Sequence, residues 1–173
     1  MIPVPPAIVM GASLIFGTML GEARFSARQE RRLRTRGAVE PADDVWALMA
    51  AAYPSAFVAM TVESALRGGP SLQIFFPGLF IWMLAKALKA WAVTSLGDRW
   101  SFRVLVLPGE PLVAGGPYRW IRHPNYVAVI GELIGAGVML AAPVTCVVFT
   151  LAFAEILRRR IRVEERALGI RRA

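Results

Sequence analysis

Residues 1–21 contain no charged side chain. A run of this kind restricts the fold strongly, because about 20 consecutive apolar residues form a helix able to cross the roughly 30 Å hydrocarbon core of a bilayer. A cleaved signal sequence would begin with basic residues and end at small ones. Neither feature is present, so the run reads as a retained span. A second uncharged run covers 45–62. A third opens at Gly68 and is uncharged to Ala85, then continues to about Leu96 with Lys86 and Lys89 near its far end. The fourth apolar region, 124–157, would be roughly 51 Å long as one helix at 1.5 Å per residue. That is too long for a single span, both flanks are basic, and Pro143 interrupts the middle. Two helices over about 126–141 and 143–160, folded as a hairpin, satisfy length and charge together. The expectation is an all-α polytopic membrane protein with five transmembrane helices, organised as one domain over 1–173.

Composition agrees. Hydrophobic residues make up 56% and charged residues 18%, with a mean hydropathy of +0.52; soluble domains hold about 25% charged residues. The chain has 20 Lys+Arg against 12 Asp+Glu, a net charge of +8. Such a balance usually suggests nucleic acid, but here the basic residues fall between the spans. Residues 22–44 carry six Arg, 97–125 carry four and 158–173 carry seven, while the turn at 67–70 has one. The basic-rich segments share the cytoplasmic side if the N-terminus lies outside. The charge is therefore a topology signal, and no nucleic-acid partner is expected. The lone Cys146 sits in an apolar run, so neither a disulfide framework nor a cysteine-based metal site is expected.

Ionisable residues inside spans cost about 2.5–3.5 kcal/mol on insertion scales. Glu63 is close enough to an outer end to reach headgroups, and Lys86 and Lys89 can snorkel to the cytoplasmic interface. Glu132 is deeper. It either faces an internal cavity or bonds to another helix. Gly17-xxx-Gly21 and Gly131-xxx-Gly135 match a pattern for close helix approach, within the chain or at a dimer seam. Arg24, Arg28, Arg31 and Arg32 could line a helix face on an anionic leaflet. Arg158, Arg159, Arg162, Arg171 and Arg172 read as topology and headgroup contacts.

The segment 97–126 is long for a connector. It alternates weakly at 102–107 and turns at Pro108-Gly109 and Gly115-Gly116-Pro117. It also holds the only histidine, His123, amid Trp and Tyr residues. Interfacial anchoring explains aromatics and Arg at a membrane surface, but their density around His123 suggests a binding site.

The run Gly116-Pro117-Tyr118-Arg119-Trp120-Ile121-Arg122-His123-Pro124-Asn125-Tyr126, followed by Arg160-Ile161-Arg162-Val163-Glu164-Glu165, resembles the isoprenylcysteine carboxyl methyltransferase family of integral membrane enzymes. Arg32-Leu33, Arg36-Gly37-Ala38-Val39-Glu40 and the Pro-Asn-Tyr variant are similar to a bacterial subgroup associated with type III polyketide synthases, which O-methylates alkylresorcinols or alkylpyrones. The resemblance implies N-terminal spans over 1–96, a catalytic core over 97–173, placement in a bacterial inner membrane and S-adenosylmethionine as cofactor. It implies that Tyr118, His123, Pro124, Asn125 and Tyr126 contact the cofactor. Leu112 and Val113, with Glu110 and Pro111, would add backbone contacts. Glu164 would hold a polar part of the cofactor, and Arg160 would face a lipophilic acceptor. The chemistry is compatible: a sulfonium is drawn to aromatic faces, and an ammonium or ribose hydroxyl suits a carboxylate. Arg160 and Glu164 share one helical face, where a solvated ion pair is the plain alternative.

Methyl transfer requires an acceptor oxygen aligned with the sulfonium methyl in a site closed to water. A carboxylate acceptor needs only positioning by Arg160, whereas a phenol needs a base, for which His123 and Glu132 are available. The cofactor would come from the cytosol and the acceptor from the bilayer between helices. A sterol-reductase-like NADPH enzyme, which shares a related His-Pro-x-Tyr segment, and a non-catalytic membrane scaffold are the competing readings. The Arg160-Ile161-x-x-Glu164-Glu165 ending favours the methyltransferase.

Overall fold

Good helix formers continue past the apolar N-terminal run, from Glu22 to Leu33. The helix therefore does not stop at Gly21. In the computed structural model, which describes residues 5–169, α1 runs unbroken over Pro6–Thr35. The first four residues of the expected first span, and Arg171 and Arg172, lie outside the described residues. Most of what reads as a basic loop is thus a helical extension about 20 Å long. Gly37, at φ 84°, ends it, with Ala38 N–H returning to the Leu33 carbonyl at 3.0 Å.

The described chain is all-α, with five long helices. After α1 come α2 (Trp46–Leu66), α3 (Leu72–Leu96), α4 (Pro124–Met139) and α5 (Pro143–Ala167), with 3-10 turns at Gly97–Arg99 and Gly116–Arg119. The alternation at 102–107 produces no strand among the described residues, only one antiparallel bridge between Val39 and Val106. By length and hydropathy, Pro6–Thr35 and Leu72–Arg99 qualify as membrane-crossing helices, and Pro124–Met139 is a shorter apolar helix.

The break in the last apolar region falls slightly earlier than expected. α4 ends at Met139 and Ala141 takes φ 50°, so Pro143 serves as the first residue of α5, where its missing N–H is harmless. Glu63, expected to reach headgroups, instead caps that helix. Its carboxylate accepts Val144 N–H at 3.2 Å, Thr145 N–H at 2.8 Å and the Thr145 hydroxyl at 2.7 Å. The turn of the hairpin is thereby fixed to the end of α2.

α3 and α4 pack backbone to backbone. A Cβ on Gly78 would lie 2.1 Å from Met139 N, and one on Gly135 would lie 2.5 Å from Trp82 N. On Gly131 it would meet Ala85 Cβ at 2.9 Å. The Gly131/Gly135 pair therefore serves packing within the chain, whereas Gly17 and Gly21 have nothing within 4 Å of the added atom. Phe57, Phe75, Trp82, Leu133, Met139 and Phe153 belong to the buried core joining α2 to α5.

Candidate functional site

At the Arg-rich end of the bundle, three segments converge: the loop after α3, the start of α4 and the end of α5. Between them lies a cavity of about 430 Å³, within the size range of small-ligand sites. The loop is held in place locally. Gly116, at φ 59°, packs so closely on α3 that an added Cβ would sit 2.0 Å from Ser95 Oγ. Ser26 of α1 accepts Phe102 N–H at 2.8 Å, and Gln29 donates to the Gly97 carbonyl at 3.3 Å. Phe25 stacks on Trp100 at 5.6 Å. The C-terminal half of α1 is therefore a docking face for the start of the loop.

Of the residues singled out from the sequence, Leu112, Val113, Tyr118, His123, Asn125, Tyr126, Arg160 and Glu164 line this cavity. Glu110 and Pro111 do so as well. Pro124 does not; it is buried as the first residue of α4. The two sequence motifs meet through side chains. The Tyr126 hydroxyl donates to Glu164 Oε2 at 2.6 Å and accepts from Arg160 Nε at 3.3 Å. His123, the N-cap residue of α4, places Nδ1 3.7 Å from Glu164 Oε2 and Nε2 3.4 Å from Glu165 Oε1. Its ring stacks on Tyr126 at 5.5 Å. Burial, with the Glu164 charge adding to it, pushes the Tyr118 phenol well above 10, so it stays a neutral donor at physiological pH.

Arg160 is not a free cation. Its side chain is 4% exposed; Nη1 pairs with Asp44, and Nη2 donates to the Phe102 carbonyl at 2.5 Å. Asp44 was not among the residues singled out from the sequence, although the acidic pair Asp43-Asp44 closing the arginine-rich stretch 22–44 was the available signal. Arg99, Trp100 and Arg103 also line the cavity without having been singled out as ligands.

The expectation that Glu132 faces the cavity is not met. Glu132 is 1% exposed and absent from the lining. It accepts the Tyr53 hydroxyl at 2.5 Å and pairs with Lys86 at 2.8 Å and Lys89 at 3.2 Å. The two lysines also pair with Glu22 of α1 at 2.7 and 2.6 Å, so they turn inward rather than snorkelling. The alternative reading, a bond to other helices, is the arrangement observed.

A second hollow, of about 480 Å³, lies between α4 and α5. Its lining is mostly apolar, including Val127, Ile130, Leu157 and Ile161, and it shares Arg122, His123 and Tyr126 with the first cavity.

The fold and site are thus an all-α bundle with a polar cavity at its basic end, flanked by an apolar groove. Residues 78–170, more than half of the chain, match the isoprenylcysteine carboxyl methyltransferase (ICMT) family. The chain belongs to that family of membrane methyltransferases. Among its relatives is YpbQ, an uncharacterized protein of Bacillus subtilis, 29% identical over 147 residues, covering 85% of this chain and 88% of that one. The protein-S-isoprenylcysteine O-methyltransferase of Xenopus laevis is 30% identical over 120 residues, 66% of this chain and 41% of the enzyme. That of Saccharomyces cerevisiae is 30% identical over 130 residues, 68% of this chain and 54% of the enzyme. The chain thus spans about half or less of these two methyltransferases. No solved structure matches it.

Proposed function

We propose that this protein is an S-adenosylmethionine-dependent O-methyltransferase acting on a lipophilic acceptor, with five membrane spans, the N-terminus outside and the site on the cytoplasmic face of a bacterial inner membrane. The observation that carries the reading is the meeting of a polar cavity and an apolar groove at His123 and Tyr126. The residues present fit the cofactor. Asn125 Oδ1 and Trp100 Nε1 are buried without a hydrogen-bond partner and belong to lining residues, which leaves one acceptor and one donor for a ligand. Glu164 offers a carboxylate for an ammonium or ribose hydroxyls, and Tyr118 and Tyr126 offer aromatic surface for a sulfonium. Leu112 and Val113 form an apolar edge.

Bound there, S-adenosylmethionine supplies an electrophilic methyl group for in-line attack by an acceptor oxygen. The protein's part is to hold the two ligands at about 3–3.5 Å and exclude water. Arg160, anchored in the polar cavity beside Tyr126, orients the reacting end of the acceptor. His123, at the junction of both hollows, is the base best placed for a phenol: Glu164 or Glu165 would receive the single ring N–H of the neutral imidazole, leaving the other ring nitrogen to take the phenol proton. Glu132, held by two lysines and a tyrosine, is better suited to stabilising the bundle. The acceptor is an alkylresorcinol-like phenol or a prenylcysteine-like carboxylate; the apolar groove suits the tail of either.

The test is incubation of the purified protein in lipid with labelled S-adenosylmethionine and a total lipid extract, identifying the labelled product by mass spectrometry. An O-methylated lipid is expected. Calorimetric binding of NADPH with no binding of S-adenosylhomocysteine would overturn the reading in favour of a reductase.

A further inference from the structure

Residues 36–46 lie outside the segment matched by the family, yet they hold its cavity together. Val39 and Val106 exchange backbone hydrogen bonds at 2.9 and 3.0 Å. Arg36 pairs with Glu110 at 2.5 Å, and Glu40 pairs with Arg103 at 2.5 Å. The Arg103 guanidinium lies 3.8 Å over the Trp46 ring. These contacts form a strap across the loop, and its C-terminal end delivers Asp44 beneath Arg160.

Asp44 makes more polar contacts than its exposed neighbours. Its side chain is 4% exposed. One oxygen accepts Trp46 N–H at 3.1 Å and pairs with Arg160; the other accepts Val104 N–H at 3.0 Å. It therefore joins the start of α2, the cavity loop and α5 at one carboxylate. A buried guanidinium needs such a partner, because an uncompensated buried charge is strongly destabilising. The planar fork of arginine also makes the pairing directional. With Nη1 committed to Asp44, Nη2 to Phe102 and Nε to Tyr126, the remaining N–H groups of Arg160 have a fixed direction. Tyr126, in turn, donates to Glu164.

We propose that Asp44 is a positioning residue of the methyl-transfer site. It acts through Arg160 to set the Arg160–Tyr126–Glu164 wall against which the cofactor is held. The inference rests on the cofactor reading above. The test is a double-mutant cycle on the full chain in lipid, with S-adenosylhomocysteine as the calorimetric probe and thermal unfolding recorded alongside. Asp44→Asn, with its amide oxygen toward Val104 N–H, removes the charge from Arg160 and the acceptor for Trp46 N–H. It should weaken binding about tenfold, the scale of a lost charged hydrogen bond. In an Arg160→Met background the same change should cost less than twofold. A loss that multiplies fully across the two backgrounds would make Asp44 a general brace and overturn the inference. So would unchanged affinity with a lowered unfolding temperature. If Asp44→Asn is not recovered folded, Asp44→Glu carries the same cycle. A wild type that does not bind the probe overturns the cofactor reading, and this inference with it; a wild type that binds while Asp44→Asn binds equally well overturns this inference alone.

Discussion

Glu132 and Tyr126 are both polar residues of α4, two turns apart, and their neighbours assign them different work. Glu132 balances two lysines in the bundle interior, with Lys89 5% exposed and within reach of both Glu132 and Glu22. Removing one carboxylate leaves those cations with half their compensation. Glu132→Gln is therefore expected to cost about 3–5 kcal/mol of stability, the range for breaking a buried pair. Turnover per folded molecule should change less than twofold. Unfolding temperature and activity, measured on the same folded fraction, check this; abolished turnover at unchanged stability would restore a catalytic base. Tyr126→Phe should do the reverse, with affinity for S-adenosylhomocysteine falling about tenfold as the bonds to Glu164 and Arg160 are lost, and stability shifting less. The sequence showed that Glu132 needed a partner. It did not show which, because Tyr53 is 79 residues away and the lysines could be satisfied equally well at an interface.

Among the elements, the pairs of small residues carry opposite weights. Gly78 and Gly135 let the backbones of α3 and α4 touch, and an added methyl group there has no room to relax against main chain. Gly78→Ala should lose more than 1–3 kcal/mol, the usual range for overpacking, and show as loss of monodisperse protein. Gly17→Ala and Gly21→Ala, facing open space, should leave the yield unchanged. The hairpin of α4 and α5 was legible from length, flanking arginines and Pro143. The continuation of α1 to Thr35 was not, because counting charges to find loops treats arginine as non-helical when it is among the better helix formers. The strap was also illegible, since its contacts with the loop and α5 join residues 57 to 116 apart in sequence. Its Glu40 is titratable. Partial burial opposes ionisation, but the hydrogen bonds and charges of Arg103 and Arg34 outweigh it and hold the carboxyl below its ordinary 4.5. A lowered folded value means that this contribution is present above about pH 4.5 and is lost as pH falls through the folded value. The protection factors of the Val39 and Val106 amides against hydrogen exchange should fall on acidification before those of the α3–α4 core.

For the whole molecule, the placement of arginine and the placement of the cavity make one joint statement. Arg34, Arg36, Arg99, Arg103, Arg122 and Arg160 all gather at the end where the loop meets α5, and the segments that bear them are those the charge count assigns to the cytoplasm. The turn between α2 and α3 lies at the other end. Single cysteines introduced into a Cys146→Ala background should therefore separate cleanly. Ala42→Cys in the strap and Ala114→Cys in the cavity lining should react with a membrane-impermeant maleimide only in inverted vesicles. Ser71→Cys, at the exposed start of α3, should react only from the periplasmic face. S-adenosylhomocysteine should slow labelling at Ala114→Cys and leave Ala42→Cys unaffected, because only the former lines the cavity. Labelling of positions 71 and 114 from the same side would contradict an odd number of crossings between them, and with it the five-span arrangement. Protection at neither position would separate that topology from the cofactor site, since the crossings follow from charge and length while the cavity depends on three segments closing around a ligand.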